Sequence, residues 1–163
     1  LNVDHNYLPS FTGSKTGTVV YTNLATLKID GRDLSSLKNW TITNEPGQYY
    51  NALLSHNGKM VAVHNGPDIY VYNVDGSTPG KKVGSGLATA WSENDDYLIG
   101  FIDESEDGHT VSNSDLYLFN VKGEKPKKLT NTEVFFEMYP TVYKDKVVFS
   151  DDKTGRLFIA NLK

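Results

Sequence analysis

DLYLFNVKG, residues 115–123, decides the fold, because the chain writes it four times: DIYVYNVDG at 68–76, LATLKIDG at 24–31 and RLFIANLK at 156–163 are its other copies. Each is a short run rich in aromatic and aliphatic residues that ends in polar, turn-forming positions, as a strand does. Ile69, Leu116 and Leu157 hold the same place in three copies and stand 47 and 41 positions apart. A period in that range predicts propeller blades rather than helical repeats.

Ahead of each copy lies a shorter run: TVVYT at 18–22, MVAVH at 60–64, YLIGF at 97–101 and KVVFS at 146–150. These are apolar on both pleat faces, so each strand must be covered on both sides. A buried strand of a parallel α/β sheet reads the same way, yet no stretch here shows sustained helical spacing with caps. Two of the short runs follow matching hairpin signals, LLSHNGKM and AWSENDDYL, in which Asn57-Gly58 and Asn94-Asp95 supply the positive φ of a tight turn. In the first copy SFTGSKTGTVV keeps the pattern, and in the fourth the turn shrinks to Tyr143-Lys144-Asp145.

One unit is therefore four strands: an inner strand, the buried strand, the aromatic strand, and a closing strand that leads to a Thr, seen in KKLT at 127–130 and in NWTIT at 39–43. A lone four-stranded sheet with two apolar faces has nothing to bury them against. Radial stacking of such units buries both. The expected fold is thus all-β, a β-propeller of four-stranded antiparallel blades at roughly 1–43, 44–84, 85–130 and 131–163, forming one domain with the last blade incomplete.

Composition narrows the function. A formal charge of −4 argues against a nucleic-acid partner, whose backbone calls for a concentrated basic field. Lys125, Lys127 and Lys128 form the densest basic cluster and read as a solvated edge strand. Without cysteine there is no disulfide, thiolate zinc site or thiol nucleophile. No apolar run is long enough to cross a bilayer as a helix, so no membrane insertion is expected.

LLSHNGKMVAVHNGPDIYVYNVDG at 53–76 and AWSENDDYLIGFIDESEDGHTVSNSDLYLFNVKGEKPKKLT at 90–130 resemble the WD-like propeller repeat of TolB-type proteins. That repeat combines a Trp-Ser-Pro-Asp-Gly hairpin, a Ser/Asp-rich loop, an Ile-Tyr strand and a closing Leu-Thr. His56-Asn57 and Glu93-Asn94 replace the Pro-Asp of the hairpin, and the fourth copy lacks it. The resemblance implies a ring of six or more blades. The chain is accordingly expected to be part of a larger ring, or a half-ring closed by a second copy as a homodimer.

Ligands of the resembling family tend to bind on the face where the loops between second and third strands meet the inter-blade connections. Here that face would carry Tyr49, Tyr50, His64, Asp103, Asp107, His109, Phe135, Phe136, Glu137, Tyr139, Asp151 and Asp152 as candidate binding residues, with 103–115 as a long loop between two strands. EVFFEMYP at 133–140 puts the most apolar area into a connection, readable as a binding patch or as packing between blades. DESEDG at 103–108 partly matches a calcium loop through Asp103, Ser105 and Asp107, but Ser114 stands where the bidentate Glu belongs, so a solvated acidic loop and no metal are expected.

Catalytic signals are weak. His5, His56, His64 and His109 lack metal-ligand spacing, no nucleophile elbow occurs, and GSKTG at 13–17 lacks the order of a phosphate loop. Asn73, Asn120 and Asn161 read as turn starters, and the sequon Asn39-Trp40-Thr41 as closing-strand packing. The expectation is a non-catalytic module, without cofactor, that binds a protein or peptide in the periplasm or outside the cell. The resemblance also implies an alternative, the accessory propeller of a prolyl-oligopeptidase-like peptidase or of a polysaccharide lyase.

Overall fold

The computed structural model describes residues 7–15 and 17–162. His5 lies outside the described residues, as does Thr16 of the GSKTG stretch. Regular structure among them is entirely β. Strands β1 (Tyr7–Gly13), β2 (Thr18–Asn23), β3 (Lys28–Asp33) and β4 (Asn39–Thr41) form a first sheet, paired in chain order. A second holds β5 (Tyr49–Leu54), β6 (Met60–Asn65), β7 (Asp68–Asn73) and β8 (Lys81–Ser85), and a third holds β9 (Leu87–Trp91), β10 (Tyr97–Ser105), β11 (Val111–Asn120) and β12 (Lys127–Lys128). The fourth has three strands among the described residues: β13 (Glu137–Tyr143), β14 (Lys146–Asp151) and β15 (Arg156–Asn161).

The chain divides into two compact units, Leu1–Lys82 and Val83–Lys163. In the first, Val20, Ile29 and Ile42 of one sheet pack against Tyr49, Ala52, Val61, Val63 and Tyr72 of the next. In the second, Ile99, Phe101 and Leu116 meet Met138, Val147 and Phe149. Both cores follow from strands that are apolar on two faces. Each fully buried Ile or Leu contributes about 2 to 3 kcal/mol relative to exposure.

The repeat recurs at the level of single hydrogen bonds. Ser55 and Ser92 end the inner strands, and their hydroxyls accept the N–H of Met60 at 2.9 Å and of Tyr97 at 3.0 Å while donating to Asn57 and Asn94. Gly58 and Asp95 take the positive φ between them, 69° and 60°. The closing threonines act alike: Thr43 Oγ1 accepts the Ile29 N–H at 2.9 Å, and Thr130 Oγ1 accepts that of Leu116 at 2.8 Å. Trp40 packs as expected, its indole N–H donating to the Val74 carbonyl at 2.7 Å and its ring filling the space that a Cβ at Gly31 would need.

One expected loop is mostly strand. The stretch 103–115 belongs to a long hairpin in which β10 and β11 stay paired from Tyr97↔Asn120 to Ser105↔Val111, leaving 106–110 as the turn. Asp107 accounts for this, because its carboxylate accepts the N–H groups of His109 and Thr110 at 2.8 and 2.6 Å and locks the reversal. Of the three recurrent asparagines, Asn120 caps its turn by accepting the Lys122 N–H, and Asn73 reaches Ser77 and Thr78. Asn161 instead accepts from the Lys146 ammonium across the hairpin.

Candidate functional site

Inner strands carry the first functional peculiarity. The pairing of β5 with β6 slips between Tyr50 and Leu53, and that of β13 with β14 slips between Met138 and Thr141. At these bulges Asn51 and Tyr139 adopt left-handed backbone, φ 53° and 51°. Asn tolerates that region, whereas a bulky residue there costs about 1 to 2 kcal/mol. Tyr139 nevertheless stands 61% exposed, its ring edge-on to Phe101 with centroids 5.2 Å apart.

The connection leading into β13 is strapped to its surroundings. The Phe136 N–H donates to Asp151 Oδ1 at 2.9 Å, its carbonyl accepts the Asp152 N–H at 2.9 Å, and it forms a parallel bridge with Ser114. Asp151, fully buried, also accepts the Thr154 hydroxyl at 2.5 Å and the Lys153 N–H. The Thr154 hydroxyl first, then the Phe136 amide, hold its carboxyl below the usual range. Asn65 does the same work in the other unit by accepting the Gln48 N–H.

Glu137 is buried beside this strap, its two oxygens accepting the hydroxyls of Thr130 and Thr132, each at 2.9 Å. Burial pushes its carboxyl up, the two threonines oppose that, and neighbouring Asp115 adds repulsion. Asp115 is itself nearly buried and pairs with Lys128 at 2.7 Å. A matching pair, Asp68 with Lys82 at 2.8 Å, stands in the first unit. Asp115, Thr130 and Thr132 were absent from the sequence-derived candidates, although the Asp that opens both aromatic strands and the Lys on both closing strands were a visible signal.

The twelve candidates thus separate. Phe136, Glu137, Asp151 and Asp152 come together on the second unit, with Tyr139 at the adjoining bulge. Phe135 is engaged in packing, its ring 4.7 Å from that of Phe158. Asp103, Asp107 and His109 lie along the β10–β11 hairpin and are exposed. The Asp107 carboxyl is held well below its usual range by the Thr110 and His109 amides and by the Thr110 and Ser105 hydroxyls. Its oxygens are therefore engaged in turn geometry, and among the described residues no group of three or more His, Asp or Glu could hold a metal ion.

Tyr49, Tyr50 and His64 lie together in the first unit. Tyr49 is buried, edge-on to Tyr72 at 6.1 Å, and Tyr72 donates to Glu45 Oε2 at 2.9 Å. Glu45 Oε1 accepts the Gly80 N–H. Tyr50 is exposed and stacks on the fully buried His64 at 5.3 Å. Burial pulls the His64 imidazole down to about 4, so at neutral pH it carries no charge. Tyr49 and His64 are thus buried within the first unit, and Glu137 and Asp151 within the second. Exposed side chains beside them are Tyr50 in the first unit and, in the second, Glu133, Val134, Tyr139 and Asp152.

No known family model and no curated protein matches the chain. Solved structures do. TolB from Acinetobacter baumannii superposes with TM-score 0.67 over 95% of this chain at 18% identity. A structure assigned as TolB from Agrobacterium tumefaciens gives 0.68 over 92% at 11%, and a nidogen/laminin complex gives 0.56 over 93% at 13%. The chain spans 43% and 56% of the lengths of the two TolB structures, and 76% of the nidogen/laminin match. No helix among the described residues is long and apolar enough to cross a membrane. Four antiparallel sheets, hairpin serines and closing threonines in register with the repeat, and these superpositions together establish a TolB-like β-propeller fold.

Proposed function

We propose that the chain is a non-catalytic propeller module that binds a protein or peptide through the loop face of its second unit, in the periplasm or outside the cell. The observation that carries this reading is Tyr139, a largely exposed aromatic residue kept in left-handed backbone at a bulge. Strain of that kind persists where the surroundings over-determine it, and it concentrates at ligand-binding positions. Val134, exposed, lies in the adjoining connection, and Glu133 and Asp152 add an acidic rim. An exposed aromatic anchor within a polar rim is how peptide-binding surfaces concentrate affinity. The buried carboxylates beneath are occupied by hydroxyl and amide donors, which supports a scaffolding part for them. Nidogen is a propeller neighbour whose structure is that of a complex with laminin, and the Acinetobacter and Agrobacterium neighbours share the TolB designation.

The test is to pan a random linear-peptide phage library on the immobilised chain and to titrate the enriched peptides. Tyr139→Asn keeps a residue that accepts left-handed backbone and should weaken binding more than tenfold. Tyr143→Asn, at the β13–β14 hairpin, should leave it unchanged. Failure of any peptide to enrich, or enriched peptides indifferent to Tyr139, would overturn the proposal.

A further inference from the structure

The ring that Tyr139 meets edge-on, Phe101, belongs to β10, and Asp103 follows two residues later on the same pleat face, about 7 Å along the strand. Cross-strand pairing fixes the levels. Phe101 lies opposite Leu116 and Asp103 opposite Ser114, whose hydroxyl donates to the Glu137 carbonyl at 2.7 Å. Asp103 is therefore level with Glu137, one pleat nearer the loop face, while Tyr139 is level with Phe101. The two exposed side chains flank Phe101.

Most acids around this position are already engaged. Glu137 and Asp151 accept hydroxyl and amide donors, Asp107 holds its turn, and Asp115 pairs with Lys128. Glu104 falls on the opposite face of β10, where its charge acts on Lys128. Asp103 differs, since among the described residues its carboxylate has neither a hydrogen bond nor an ion pair. Lys153, the cation beside the strap, lies over the Phe136 ring at 5.3 Å instead. An open aromatic ring beside an unpaired carboxylate is chemistry for a cation. A guanidinium suits it best, because its plane stacks on the ring while its fork of N–H donors meets the carboxylate.

We propose that the loop face of the second unit selects its peptide by an arginine, whose guanidinium lies on Tyr139 and pairs with Asp103. It rests on the reading of Tyr139 as the anchor of that face, and adds the class of partner, a basic segment. Exposed Glu133 and Asp152 on the adjoining connections match further basic residues in that segment.

The test pans a random linear-peptide phage library in parallel on the chain and on Asp103→Asn, an exposed substitution whose folding is checked by circular dichroism. The parent pool should be enriched in arginine at one position relative to the unselected library, and the Asp103→Asn pool should lose that enrichment. In the synthesised parent consensus, replacing this arginine by citrulline keeps the shape and removes the charge. Fluorescence polarisation should then show about three- to tenfold weaker binding to the chain and a distinctly smaller loss with Asp103→Asn. Glu104→Gln, one residue away on the other face, should behave as the parent. Added salt should weaken binding to the parent more than to Asp103→Asn. Peptides that enrich and need Tyr139 but carry no arginine, or that tolerate citrulline equally on both proteins, would overturn this proposal and leave peptide binding standing. No enrichment at all would overturn both. Free arginine amide binding as tightly as the consensus would overturn the peptide in favour of a small guanidinium ligand.

Discussion

Leu116 in the third sheet and Leu157 in the fourth are the same letter at the same place in the same pattern, followed by an aromatic-bearing strand and preceded by a buried one. Leu116 is sealed between Met138, Phe149 and the residues around Thr130; Leu157 faces solvent. The difference teaches that a propeller repeat encodes what each position needs, and that neighbouring sheets and closing strands decide whether it is met.

The sharpest break of that comparison is truncation at both positions. Leu116→Ala should lower the stability of the chain by about 3 kcal/mol in urea unfolding, through lost burial and a residual cavity. Leu157→Ala should fall within about 0.5 kcal/mol of the parent. Equal losses would mean that Leu157 is buried in solution.

The same position logic extends to the buried strands, where His64 stands in β6 where Phe101 stands in β10. Its folded-state value near 4 lies below the ordinary 6.5, so the unfolded chain takes up the proton first. The stability it contributes is whole above the ordinary value and is lost as pH falls toward the folded one. Between pH 7 and pH 4.5 the parent should lose about 2 kcal/mol more than His64→Gln. Taking the difference between proteins removes the opposite trend of Glu137, whose raised carboxyl favours the folded state as acid is added.

Thr130 sharpens the comparison at the level of one hydroxyl, because it bridges the Leu116 N–H and the Glu137 carboxylate. Thr130→Val should cost about 1 to 2 kcal/mol by leaving buried groups unpaired. Smallest of all, Tyr139→Gly should leave stability unchanged or raise it by up to about 1 kcal/mol, since glycine takes positive φ without penalty. A loss there would show that the ring's packing on Phe101 outweighs the backbone strain.

Much of this was legible along the chain. The Ser-x-Asn hairpins at Ser55 and Ser92, the closing threonines and the strand order could all be read, because each depends on neighbours a few residues away. The candidate face was legible only as a set of loops. Tyr49, His64, Glu137 and Asp151 were named as candidates, but their burial was not readable, since it depends on packing around them that the local sequence does not state. The stretch 103–115 misled for the opposite reason: its Ser, Asp and Gly content signals a loop, while pairing in register between β10 and β11 outweighs local preference outside the Asp107 turn.

The amino-acid order alone therefore determined the blades, since two-sided apolar strands, hairpin asparagines and a period near that of propeller repeats are local properties of covalent sequence. Only the tertiary structure decided that Asp115 neutralises Lys128, that Glu137 is held by two threonines, and that Leu157 is bare while Leu116 is not. Burial and charge pairing arise from how strands and connections pack against one another, and no repeat carries within itself the sheet that will cover it.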